Sequence, residues 1–186
     1  MPLSTHRRKY TRQRKLSTWQ LTIFAMLAGV MAVSRITLQT IPGVHPLGLI
    51  MAATTLTYRK HALIPIYVYI LLDILLSGFA LWIIPYLYAW LPLWGMFMLA
   101  GKLKVSETKK ELIYMALVGL HGLTAFGLLY APFWALWMGL SWEGTVAWVI
   151  AGLPFDVVHA VSNAALGTLI IPLHMLLKRL DEAPNI

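Results

Sequence analysis

Runs of apolar residues, each closed by a basic cluster or a proline- and glycine-rich break, divide the chain between Thr18 and Leu180 into six helical stretches. A bilayer core of about 30 Å needs about 20 residues at about 1.5 Å each. The run from Thr18 to Leu38 has that length. Gln39 to Pro46 (QTIPGVHP) follows, and its two prolines and glycine forbid a continuing helix. The next run, Leu47 to Tyr58, is too short to cross upright and stops at Arg59-Lys60-His61. His45 and Pro46 are therefore expected below the outer surface, where loop backbone is tolerated only under protein or beside a cavity. A third run covers Ala62 to Phe79. An aromatic connection (Trp82, Pro85, Tyr86, Tyr88, Trp90) leads to a fourth, descending through Trp94 to Leu99. After a polar inner loop, Gly101 to Glu111, a fifth run spans Leu112 to Tyr130. The stretch from Pro132 to Gly152 is too glycine-broken for a clean span, and an outer loop carrying one short helix is expected there.

The sixth run, Leu153 to Leu180, opens on Pro154, which suits the first turn of a helix, and ends at Lys178 and Arg179. Asp156, His159 and Asn163 fall at i, i+3 and i+7, on one face. Polar side chains against lipid are costly, so this face is expected to line a protein interior or a cavity. Asp156 has a second reading as a helix N-cap. Asp73, in the outer half of the third run, should face inward for the same reason, to a cavity or to a neighbouring helix. Arg35, near the outer end of the first run, either snorkels to the interface or joins a site.

In the first helix, Ala25/Gly29 and Ala28/Ala32 form two small-xxx-small pairs on one face, suited to close packing against a separate membrane protein or against the chain's own helices.

Charge changes the picture in one respect. Fifteen basic against seven acidic residues give a net +8, which on a soluble protein would point to nucleic acid. Here the basic residues sit in four clusters (7–15, 59–60, 102–110 and 178–179) that alternate with outer segments lacking lysine. That parity predicts an all-α bundle of six transmembrane helices with both termini cytoplasmic. It divides the chain into a basic segment (1–16), a membrane domain (17–180) and a short tail (181–186). The basic segment leads into the first span without a small-residue cleavage site, so a retained helix is expected rather than a signal peptide.

Candidate chemistry is sparse. The chain has no cysteine, which removes disulfides, thiol catalysis and cysteine-ligated metal. There is no GxxxxGK[ST] phosphate loop and no HExxH pair. Asp156 and His159 would make half a metal site, or would polarise Ser162 or Ser141, but no nucleophile motif surrounds either serine. The tryptophans are more telling. Seven of eight (Trp82, Trp90, Trp94, Trp134, Trp137, Trp142, Trp148) are expected in the outer half, with Trp19 alone at the inner face. Interfacial belts normally occupy both faces, so the asymmetry suggests aromatic walls around an outward-facing ligand. Arg35, His45, Asp73, Asp156, His159 and Asn163 would supply its polar contacts.

Three stretches then carry a family resemblance. AMLAGVMAVSR (Ala25 to Arg35), IPGVHPLGLIMAATTL (Ile41 to Leu56) and LPFDVVHAVSNAALG (Leu153 to Gly167) resemble the first helix, first outer loop with second helix, and last helix of the substrate-binding S components of energy-coupling factor (ECF) vitamin transporters. The resemblance extends over nearly the whole chain and is strongest for the cobalamin-specific members. It implies a multi-pass prokaryotic membrane protein that is not itself an enzyme and carries no cofactor of its own. It also implies a transmembrane coupling protein and two cytoplasmic ATPases as partners. Ligand contacts would carry over to Arg35, His45, Trp82, Trp137, Asp156, His159 and Asn163. Coupling-protein contacts would carry over to Ala25, Ala28, Gly29 and Ala32, with glycine at 29 departing from the family's alanine. Cobalamin is the implied ligand, with a flavin or deazapurine as alternatives. An intramembrane enzyme using Asp156/His159 and a ligand-free assembly subunit are the readings from other classes.

Overall fold

The structure, a computed structural model, describes residues 16–41, 43–125 and 127–183, and every regular element among them is helical. α1 (Thr18–Leu38) starts at a capping box in which Ser17 Oγ accepts from the Gln20 N–H and the Gln20 side chain accepts from the Ser17 N–H. α2 (Leu47–Tyr58) leads through a 3₁₀ turn (Arg59–Ala62) into α3 (Leu63–Ser77). Arg59 takes φ +56°, an uncommon conformation outside glycine, and breaks the helical path there. α4 spans Ile83–Ala100, α5 Glu107–Ala125, α6 Ala131–Met138, α7 Trp142–Gly167 and α8 Ile170–Glu182.

Among the described residues, four helical stretches are long and apolar enough to cross a membrane: Thr18–Leu38, Leu47–Ser77, Ile83–Ala100 and Trp142–Gly167. Cross-helix contacts define two ends of the bundle. At one, the Trp19 indole donates to the Leu180 carbonyl at 2.6 Å, Tyr58 OH to that of Leu177 at 3.5 Å, and Trp94 Nε1 to that of Arg59 at 3.2 Å. At the other, Arg35 meets Asp73, and the Gly127 N–H meets Asp156. Successive long helices therefore run in alternating directions between the Trp19 end and the Arg35 end.

α2 is the hub. It is apolar all round and buried along nearly its whole length, packed by α1, α4, α5, α7 and α8, as such a helix must be. Its two fully buried threonines bond back to their own helix, Thr54 Oγ1 to the Ile50 carbonyl and Thr55 Oγ1 to that of Met51. The closest helix pair is α5 with α7. A Cβ at Gly122 would lie 2.8 Å from the His159 carbonyl oxygen, and one at Gly167 2.9 Å from Met115 Cα, so these backbones meet where only glycine fits.

The predicted first and second helices match the structure, and the third is trimmed to Leu63–Ser77. Elsewhere the boundaries move. Tyr86, Tyr88 and Trp90 lie within α4 rather than in a connection, and the expected inner loop ends early because α5 begins at Glu107. The largest correction concerns the last span. α7 begins at Trp142, capped by Ser141 Oγ, so Pro154 sits in mid-helix and the expected outer loop is reduced to α6 and the first turns of α7. The helix instead breaks at Thr168-Leu169. Pro172 accounts for that, since a proline ring clashes with the carbonyl four residues earlier, here that of Thr168. Trp94, expected in the outer half, belongs to the Trp19 end. The basic cluster at 7–15 and residues 184–186 lie outside the described residues.

Candidate functional site

α1 brings Arg35 to its last turn, and α3 brings Asp73 alongside. Arg35 Nη1 lies 2.8 Å from Asp73 Oδ1, and Ser77 Oγ donates to the same oxygen at 3.4 Å. Asp73 is buried while Arg35 retains access to the space above it. The guanidinium also sits over the Trp82 ring, 4.5 Å from its centroid, so ion pair and ring together fix one orientation.

From this corner an aromatic set spreads around Tyr86, whose ring lies 5.3 Å from Trp82, 5.6 Å from Trp90 and 6.1 Å from Tyr130, each close to edge-on. The loop after α1 closes the opposite side. Gly43, at φ +79°, lies so near α7 that a Cβ would come within 2.8 Å of Val158 Cγ1. This carries His45 onto α7, where its ring lies 5.2 Å from that of His159. His159 Nδ1 lies 2.9 Å from the Phe155 carbonyl, so it carries the hydrogen and Nε2 is left as the acceptor nitrogen.

These groups enclose a cavity of about 620 Å³ at the Arg35 end. Trp82, Tyr86, Tyr130, Trp134 and Trp148 form its walls, and Arg35, His45 and His159 supply its charged and imidazole groups. Such a chamber is suited to binding a flat, largely apolar molecule with a few hydrogen-bonding substituents.

Of the side chains singled out in the sequence, Arg35, His45, Trp82 and His159 line this cavity, and Asn163 lies one level deeper, on a small void beneath it. Asp73 is off the wall and holds Arg35. Asp156 is no helix cap, because α7 starts well before it. It is buried, and its Oδ2 accepts from the Gly127 N–H at 2.8 Å, tying the turn after α5 to α7. Trp137 is 60% exposed and stacks on Phe133, away from the cavity; Trp134, on the same short helix, lines it instead. Trp134 and Trp148 belong to the tryptophans expected to wall a ligand and Tyr86 to an expected aromatic connection, but none of the three is among the individually expected contacts. Tyr130 carries no signal of its own.

The four small residues of α1 separate. Ala28 and Ala32 are buried in the chain's own core, Ala25 is exposed, and Gly29 is half-buried, with no atom within 4 Å of the position a Cβ would take. Their stripe straddles the edge of the buried arc, so Ala28 and Ala32 are not accessible to a separate protein. Neither candidate nucleophile is engaged by a histidine, since Ser162 Oγ is buried without a partner and Ser141 Oγ caps α7. Among the described residues no group of three or more histidine and carboxylate side chains is placed to hold a metal ion. No protein-family model, curated protein or solved structure matches the chain.

Proposed function

We propose that this chain is the substrate-binding subunit of an ECF-type importer, a six-pass membrane protein that takes a vitamin-like heterocycle into the cavity at its Arg35 end. The observation that carries this reading is the cavity itself. Its volume of about 620 Å³ falls within the range of about 300–1,000 Å³ usual for small-molecule sites, and aromatic walls with one clamped cation and two imidazoles suit a conjugated ring system. The alternating helix directions support six crossings. The basic residues Arg59, Lys60, Lys178 and Arg179 fall towards the Trp19 end, beside contacts such as Trp94–Arg59 and Trp19–Leu180, which favours a cytoplasmic Trp19 end and an outward cavity.

Cobalamin is the ligand favoured by the resemblance, and a corrinoid would fill the chamber and project beyond it; a flavin or deazapurine would fit within. Transport energy would come from two cytoplasmic ATPases through a transmembrane coupling protein, since this chain has no phosphate loop of its own. The coupling protein would meet the exposed side of α1, around Ala25 and Gly29. The decisive experiment is mass spectrometry of small molecules that copurify with the full chain from a prokaryotic membrane, followed by titration with cyanocobalamin and riboflavin. A bound heterocycle, displaced by excess of the same compound and lost in Arg35→Ala, is the expected result. A chain that carries no small molecule and binds neither probe would overturn the assignment.

A further inference from the structure

Beneath the cavity lies a second void of about 20 Å³, bounded above by His45, Tyr86, Tyr130 and His159, which it shares with the cavity, and below by Ala89, Trp90, His121 and Asn163. Trp90 is 7% exposed and held firmly, its ring stacked on His121 at 5.6 Å and 24° and met edge-on by Tyr86. His121 is itself fixed by Nε2, 2.8 Å from the Ala89 carbonyl. Yet the Trp90 indole N–H is buried and makes no hydrogen bond, and the same holds for His45 Nδ1. Asn163, 5% exposed, brings its side-chain amide to the same chamber. Two unsatisfied polar groups, with the Asn163 amide beside them, thus border one small chamber.

A buried polar group without a partner costs more than a made hydrogen bond gains, so native structures seldom leave one, let alone two together. A space of about 10–15 Å³ or more, with two to four polar partners, is enough for one water molecule. We infer that this void is a polar subsite for one small hydrogen-bonding group: a water in the free protein and, resting on the binding role proposed above, the carbonyl, carboxamide or hydroxyl tip of the ligand in the loaded one. Trp90 only donates, so the guest must present an acceptor lone pair; a cationic ammonium tip has none and is excluded. The ligand would then lie with its ring among Trp82, Tyr86 and Trp148 and its acceptor tip pointing down towards Trp90 and Asn163.

The test uses the full chain in nanodiscs, labelled with ¹⁵N at the tryptophan indoles. The Trp90 resonance is assigned from Trp90→Phe, or, should that variant not fold, from its displacement in Asn163→Leu. In the free protein the Trp90 N–H is expected to show a magnetisation-transfer contact to a bound water. Saturation with whichever of cyanocobalamin and riboflavin binds is expected to abolish that contact, and Trp90→Phe to weaken binding of that probe by about two- to tenfold. A free protein without the water contact overturns the subsite. A water contact that persists under bound probe, with affinity unchanged in the variant, leaves a structural water only and overturns the ligand's share. If neither probe binds, the importer assignment fails, and the water contact alone decides whether the subsite exists.

Discussion

Arg35 and Asp73 are separated by 38 residues and meet as a clamped pair under the cavity. Asp73 is almost wholly buried and Arg35 only partly exposed, so neither charge tolerates loss of the other. Breaking a buried pair by removing one partner costs about 3–5 kcal/mol, whereas replacing both with apolar groups is often close to neutral. Asp73→Leu alone should therefore lower stability by about 3 kcal/mol, towards the lower limit because Arg35 reaches some solvent. Arg35→Leu/Asp73→Leu should be more stable than the sum of the single changes by at least about 1 kcal/mol, measured by thermal unfolding in detergent. Additive losses would mean that the pair contributes nothing as a pair. At this scale the sequence is informative about burial and silent about partners. The cost of an aspartate in lipid turns Asp73 inward, but nothing local says that Arg35 completes it. The N-cap reading of Asp156 fails for a related reason: its role depends on where its helix starts, and its actual partner is a backbone N–H 29 residues away.

The helices themselves are legible wherever an apolar run has clear stops, as with Ser17 before α1 or Arg59 after α2. They are not where prolines give conflicting signals. Pro154 and Pro92 lie inside helices, whereas Pro172 marks a break, and only tertiary packing separates those cases. Rotation about a helix axis is harder still. The α1 stripe of small residues is visible in sequence, but which half of it faces the core depends on α3, its principal neighbour. That division predicts opposite outcomes for adjacent residues. Ala28→Leu inserts bulk into a fully buried position and should destabilise the protein by about 1–3 kcal/mol. Gly29→Leu enters open space and should leave stability unchanged or raise it by up to about 1 kcal/mol, because glycine is the poorer helix former. If the two variants unfold at the same temperature, the boundary between the core and the exposed side of α1 is drawn in the wrong place.

For the whole molecule the number of membrane crossings turns on α5. Length and composition single out four stretches, and α5 is not among them, because Glu107, Lys109, Lys110 and Glu111 crowd its start. All four charges precede Leu112. Beyond them α5 is apolar to Ala125 apart from Thr124 and the buried His121, and it runs antiparallel against α7, a helix of 26 residues, with Gly167 against Met115 and Gly122 against His159. A helix paired along its length with a membrane-crossing one has its charged first turn at the interface, where lysine and glutamate are tolerated, and its apolar remainder at hydrocarbon depth. α5 should therefore cross, with Lys104 and Glu143 on opposite sides. The natural absence of cysteine makes this directly measurable, since Lys104→Cys and Glu143→Cys each introduce a single thiol at an exposed position. In right-side-out vesicles a membrane-impermeant maleimide should label only Glu143→Cys; in inverted vesicles it should label only Lys104→Cys. Labelling of both from the same side would remove α5 from the membrane, leave an odd number of crossings between the ends of the bundle, and take the outward orientation of the cavity with it.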